Sequence, residues 1–197
     1  MGLKNPSSMP PPPPPPPAFK GAAPRPAPKP PTVAARGPAG AFLVELFVYN
    51  GSPFKDHWAY FVRSNDQSSK GVRVHATGDV RNSFKLEMER MLDVLATDNP
   101  PTTRIPLQWV DAQYFDERAM FNSGNYKVDS VPVCRFEASA HKVKAPGKSL
   151  NSVDKATPRK NVVQKDCQTW IVESADQLVA DHVFNAEVAA YLHAIQQ

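Results

Sequence analysis

The sequence predicts an α+β domain: a small antiparallel sheet of about five strands packed on C-terminal helices and preceded by a disordered proline-rich tail. Three observations carry this. Strand-length apolar runs and alternations separated by turn formers fill residues 42–110. Apolar residues at helical spacing fill residues 166–195, so strands come first and helices last. Of the 22 prolines, 15 lie in residues 1–40, Pro10 to Pro17 among them without a break.

That tail has its own chemistry. A proline run favours an extended helix without internal hydrogen bonds. The remaining Ala, Gly and Lys offer too little apolar surface to offset the entropy of ordering. Residues 1–40 carry Lys4, Lys20, Arg25, Lys29 and Arg36 and no acid, while the net charge of the whole chain is +4. The basic character therefore belongs to the tail, which argues against a nucleic-acid interface on the folded part. The tail reads as a spacer or as a ligand for proline-binding grooves. Arg25-Pro26-Ala27-Pro28-Lys29-Pro30-Pro31 has the cation and proline spacing that SH3 domains accept, and the proline run suits profilin-type pockets.

The domain, residues 41–197, is justified element by element. Phe42 to Tyr49 is apolar except for Glu45 and reads as a buried strand; Asn50-Gly51-Ser52-Pro53 is a turn. His57 to Arg63, aromatic and β-branched, is a second strand, followed by a polar loop at 64–70. In the third strand, Gly71 to Thr77, Val72, Val74 and Ala76 share one face, and Arg73, His75 and Thr77 share the other. Phe84, Leu86 and Met88 alternate with Lys85, Glu87 and Glu89, which suits a strand, although these residue types also favour helix. Arg104 to Val110 follows the breaker Asn99-Pro100-Pro101 as a fifth strand. Residues 115–160 read as loops, with a short helix near 134–141 and an exposed loop at 144–160. Asp166 caps a helix carrying Trp170, Ile171, Ala175, Leu178 and Val179, and a last helix spans Asn185 to Ile195.

Chemistry centres on Cys167. A first-turn cysteine has the positive end of the helix to lower its pKa and free backbone N–H groups for an oxyanion hole. A base is also needed. If the loop after the second strand centres near Gln67, His57 and His75 fall on one sheet face about a diagonal step apart, able to act as base and orienter. A helix-start cysteine also fits a small buried apolar role, and a strand-end histidine an ordinary surface one.

Three motifs bear a resemblance. Asp56-His57-Trp58-Ala59-Tyr60-Phe61-Val62, Val72-Arg73-Val74-His75-Ala76 and Asp166-Cys167-Gln168-Thr169-Trp170-Ile171 resemble, in order and spacing, the lecithin retinol acyltransferase-like branch of the NlpC/P60 superfamily. They are also similar to a group of uncharacterised fungal proteins with His-Trp and Asn-Cys-Gln-x-Trp motifs. The resemblance implies a circularly permuted papain-like fold with Cys167 as nucleophile, His57 as general base and His75 as its orienter. The expected activity is that of a cysteine-dependent hydrolase or acyl transferase, working through an acyl-enzyme on an amide, peptide or ester. Asp166 departs from the family's Asn, and a carboxylate there caps the helix but opposes a thiolate. Gln168 and Tyr60 are the side chains considered for the oxyanion hole.

Other classes find no support. There is no phosphate-binding glycine loop, and Cys134 with His141 is not a zinc spacing, so no cofactor and no metal are expected. Two cysteines make no disulfide framework. No apolar stretch is long enough for a membrane helix, no signal peptide is evident, and Pro6 spoils a myristoylation signal after Met1-Gly2. The expectation is a reduced cytoplasmic protein. The alternative function is a non-catalytic interaction protein that recruits SH3 or profilin-type partners through its tail.

Overall fold

The computed structural model describes residues 26–148 and 165–197. The run Pro10–Pro17, Arg25 and positions 149–160 of the expected exposed loop lie outside the described residues.

The chain folds as α+β with one antiparallel sheet. Its strands are β1 (Phe42–Tyr49), β2 (His57–Arg63), β3 (Lys70–Asp79), β4 (Ser83–Asp93), β5 (Thr103–Val110) and β6 (Lys127–Asp129). The helices are α1 (Glu117–Met120), α2 (Arg135–Ala140), α3 (Cys167–Ala180) and α4 (Ala186–Ile195). Six strands are ordered β5-β1-β2-β3-β4-β6, one more than the roughly five expected. The addition is β6, a three-residue edge strand against Met88–Arg90 of β4. The ambiguous 84–89 segment is strand, because its Leu86 and Met88 alternate toward the core while it pairs with Ala76 and Val74 of β3.

Strand alternation gives the sheet two faces. One, with Val44, Leu46, Trp58, Tyr60, Val62, Val72, Val74 and Met88, packs against Trp170, Ile171 and Ala175 of α3 and Val188 and Leu192 of α4 in the main core. The Tyr60 hydroxyl donates to the Ile171 carbonyl at 2.7 Å and fastens β2 to α3. The Trp170 indole N–H donates to the Val143 carbonyl at 3.1 Å, so neither large polar aromatic is buried unsatisfied. The opposite face holds a smaller cluster of Phe47, Tyr49, Ala59, Phe61 and Val94. Phe47 and Phe61 stack at 4.2 Å, and the Arg104 guanidinium covers them.

The segment before β1, expected as part of the tail, lies against β5 near its C-terminal end. The Trp109 indole N–H donates to the Ala34 carbonyl at 2.8 Å. A Cβ at Gly37 would come within 2.3 Å of the Trp109 ring, so that approach needs glycine.

One buried ion network ties the far edge together. Arg90 of β4 donates to Glu137 of α2 at 2.8 and 3.1 Å, to the Met120 and Val131 carbonyls, and to Asp129 of β6 at 3.2 Å. Glu137 also accepts the Val133 backbone N–H at 2.8 Å.

Candidate active site

The β2–β3 hairpin pairs Tyr60 with Val74, Phe61 with Arg73, Val62 with Val72 and Arg63 with Gly71. This register centres the loop on Gln67 and sets His57 and His75 diagonally on one face. Their rings meet edge to face, and His57 Nε2 lies 2.8 Å from His75 Nδ1. One of those nitrogens carries the proton and the other accepts it.

The β2–β3 ladder ends at Tyr60, so residues 57–59 part from β3 while β3 continues along β4. Cys167 lies against the start of β2. Its sulfur lies 4.0 Å from the carbonyl oxygen of Asp56, the residue before His57, and the backbone N–H of Trp58, the residue after it, lowers the thiol's pKa. Among the described residues, no hydrogen bond joins the thiol to either imidazole. His57 and His75 are thus brought together, on the sheet face that also carries Ala59 and Phe61, while the Cys167 thiol touches the main chain next to His57 and not its ring.

The helix start has the cap that the sequence suggested. Asp166 Oδ1 accepts from the Thr169 backbone N–H at 2.9 Å, and the Thr169 hydroxyl closes a capping box with the Asp166 backbone. Asp166 Oδ2 pairs with Lys55 at 3.1 Å. The carboxylate is therefore spent on the cap and a lysine, which reduces its opposition to the thiolate without removing it. Burial raises the Cys167 thiol above its ordinary value. The N–H groups of Trp58, Gln168 and Cys167 pull it down, and Asp166 pushes it up. Burial, then Arg73, lowers His57 to about 4. The same two causes, with His57 itself and Lys85, lower His75 to about 2. At neutral pH the Cys167 thiol and both imidazoles are thus neutral.

Neither side chain considered for the oxyanion hole is free. Tyr60 is committed to α3. Gln168 Nε2 donates to the Asp56 carbonyl at 2.8 Å and to Gln197 Oε1 at 3.1 Å. Gln197 in turn accepts from the Asp56 backbone N–H and donates to Asp56 Oδ2. These bonds brace the residue before His57. The donors aimed at the sulfur are backbone N–H groups, as expected at the start of a helix.

Sequence reasoning missed what stands behind His75. Arg73 donates to the Tyr49 hydroxyl at 2.9 Å and to Glu89, and Tyr49 lies 5.8 Å from the His57 ring, centroid to centroid. Among the described residues, His75 Nε2 is buried without a hydrogen-bond partner, 3.6 Å from Glu89 and 3.9 Å from Glu87. The available signal was the register: antiparallel pairing sets His75 opposite Glu87. Cys134, the other thiol, is buried beside Glu137 and pushed up to about 12.

Fold and site together define an α+β domain with a cysteine at a capped helix start against the residue before β2, and two hydrogen-bonded histidines on β2 and β3. Residues 44–185 match a family of unknown function (DUF6540), and the chain belongs to that family. No curated protein and no solved structure matches the chain. No helix among the described residues is long and apolar enough to cross a membrane.

Proposed function

We propose that this protein is a cysteine-dependent hydrolase or acyl transferase of permuted papain-like design, with Cys167 as nucleophile, His57 as general base and His75 as the residue that orients it. The observation that carries the reading is the hydrogen-bonded His57–His75 pair, with Cys167 at a capped helix start against the carbonyl of the residue before His57. In the proposed reaction the His57 ring and the thiol meet in the substrate complex, where such contacts tighten.

In the reaction, Cys167 gives its proton to His57 as the sulfur–carbon bond forms at an ester or amide carbonyl. The backbone N–H groups at the helix start face the developing oxyanion. His57 returns the proton to the leaving oxygen or nitrogen as that bond breaks, giving a thioester with Cys167. Water or a second acceptor then attacks the thioester, losing a proton to His57, and as the carbon–sulfur bond breaks His57 returns that proton to the Cys167 sulfur. Because both groups rest neutral, this is general-base catalysis rather than a preformed thiolate–imidazolium pair. Peptide or amide substrates in the cytoplasm are the favoured class.

The test is acyl-enzyme trapping. Incubation with a panel of activated esters and aryl amides, followed by intact mass and peptide mapping, is expected to find an acyl group on Cys167. Cys167→Ala should abolish it, and His57→Asn should slow its formation by about 100-fold or more. Acylation distributed over lysines, or unchanged in Cys167→Ala, contradicts the reading.

A second reading makes the chain an interaction protein that recruits SH3 or profilin-type domains. It is favoured by the exposure of the described tail prolines Pro26, Pro28 and Pro30.

A further inference from the structure

The cluster behind His75 has no assigned role. His75 Nε2, Glu87 and Glu89 present ligand atoms that all lie within 4.8 Å of one another. His75 is 5% exposed, and its Nε2 has no hydrogen-bond partner among the described residues. Three such groups invite a divalent cation, but their charge is already balanced. Arg73 is paired with Glu89, and Lys85 with Glu87 at 2.8 Å. A dication would add excess positive charge beside a buried guanidinium, so the cluster is better suited to holding a proton on His75.

The protonation pattern follows from the geometry. A bare lone pair on His75 Nε2 would face two carboxylate oxygens and be repelled, whereas an N–H there is attracted by both. With the proton on Nε2, His75 Nδ1 is an acceptor. The partner 2.8 Å away, His57 Nε2, must then be the donor. A neutral His57 carrying its proton on Nε2 has its lone pair on Nδ1, the only nitrogen left to receive a proton from a thiol. The charges on β4 thus set which nitrogen of a histidine on β2 is basic, through one intervening ring.

We infer that Glu89, held by Arg73, and Glu87 are positioning residues that fix the His75 tautomer and through it make Nδ1 the basic nitrogen of His57. The inference rests on the proposed role of His57, but its test does not require activity. The readout is the imidazole 15N spectrum of the full chain at neutral pH. The native protein is expected to show protonated Nε2 and bare Nδ1 on both His57 and His75. Protonated Nδ1 on His75 overturns the inference, whatever the variants do. In Glu87→Ala/Glu89→Gln, checked for folding by circular dichroism, the tautomers of both rings should become mixed, and alkylation of Cys167 should slow about tenfold or more. Unchanged tautomers in the folded double variant overturn it. So does stoichiometric zinc binding to the native protein that shifts His75 Nε2, since the cluster is then a metal centre. Expected tautomers without any acyl-enzyme leave this inference standing and refute the proposed function; an acyl-enzyme with the opposite tautomers does the reverse.

Discussion

Glu137→Ala is expected to destabilise the fold by about 3–5 kcal/mol, a large share of the roughly 5–15 kcal/mol that holds a domain together. Glu137 is fully buried and answers Arg90 with both carboxylate oxygens. Its loss strands the Val133 N–H and leaves a guanidinium that is 1% exposed with Asp129 as its charged partner. The damage spreads because Arg90 joins β4 to β6, to the end of α1 and to the segment leading into α2. The cause is an unpaired buried charge rather than a missing contact, and this has its own check. Arg90→Met/Glu137→Leu removes both charges and should recover much of the loss, since apolar replacement of a buried pair is often close to neutral. Urea unfolding of the three proteins measures this. A Glu137→Ala cost under about 1 kcal/mol, or a double variant worse than the single, contradicts it.

Stability is expected to fall steeply with acid between pH 6.5 and 4. His57 is lowered to about 4 and His75 to about 2, from an ordinary 6.5, because burial and Arg73 disfavour their charged forms. In that window the unfolded chain binds more protons than the native one, so unfolding becomes easier as pH drops. The contribution is fully present above the unfolded value and is lost as pH falls toward the folded one. One pKa unit corresponds to about 1.4 kcal/mol, so His57 alone loses about 3 kcal/mol by pH 4, and His75 acts in the same direction. His57→Asn/His75→Asn should flatten the dependence of the urea midpoint on pH across this range. An equally steep dependence in that variant would place the acid sensitivity elsewhere.

Much of the sheet was legible because its strands alternate cleanly. The loop at 64–70 is symmetrical about Gln67, and Val72, Val74 and Ala76 leave one choice of inward face, so the hairpin register and the meeting of His57 with His75 could be read. The cysteine at the helix start was legible from Asp166 and the apolar spacing that follows it. What escaped depends on long-range pairing. The strand β6 is three residues long, with exposed Lys127 and Val128, and Arg90 holds its Asp129 from 39 positions away. Arg90 falls in the inward phase of Phe84, Leu86, Met88 and Leu92, a cation where an apolar residue belongs, and that was the sign of a buried partner. Alternation alone left Glu87 and Glu89 without a partner. They lie on the histidine side of the sheet, where His75 and Arg73 meet them.

The alkylation rates of the two thiols in one native chain test the account most directly. Both are buried, yet backbone N–H groups lower Cys167 and the proposed base, His57, is neutral, whereas Cys134 lies beside Glu137 and is pushed up to about 12. With iodoacetamide at pH 7, peptide mapping over time should find Cys167 modified at least about tenfold faster than Cys134, with the difference lost in His57→Asn. Equal rates, or a fast Cys167 indifferent to His57, would contradict the assignment of nucleophile and base.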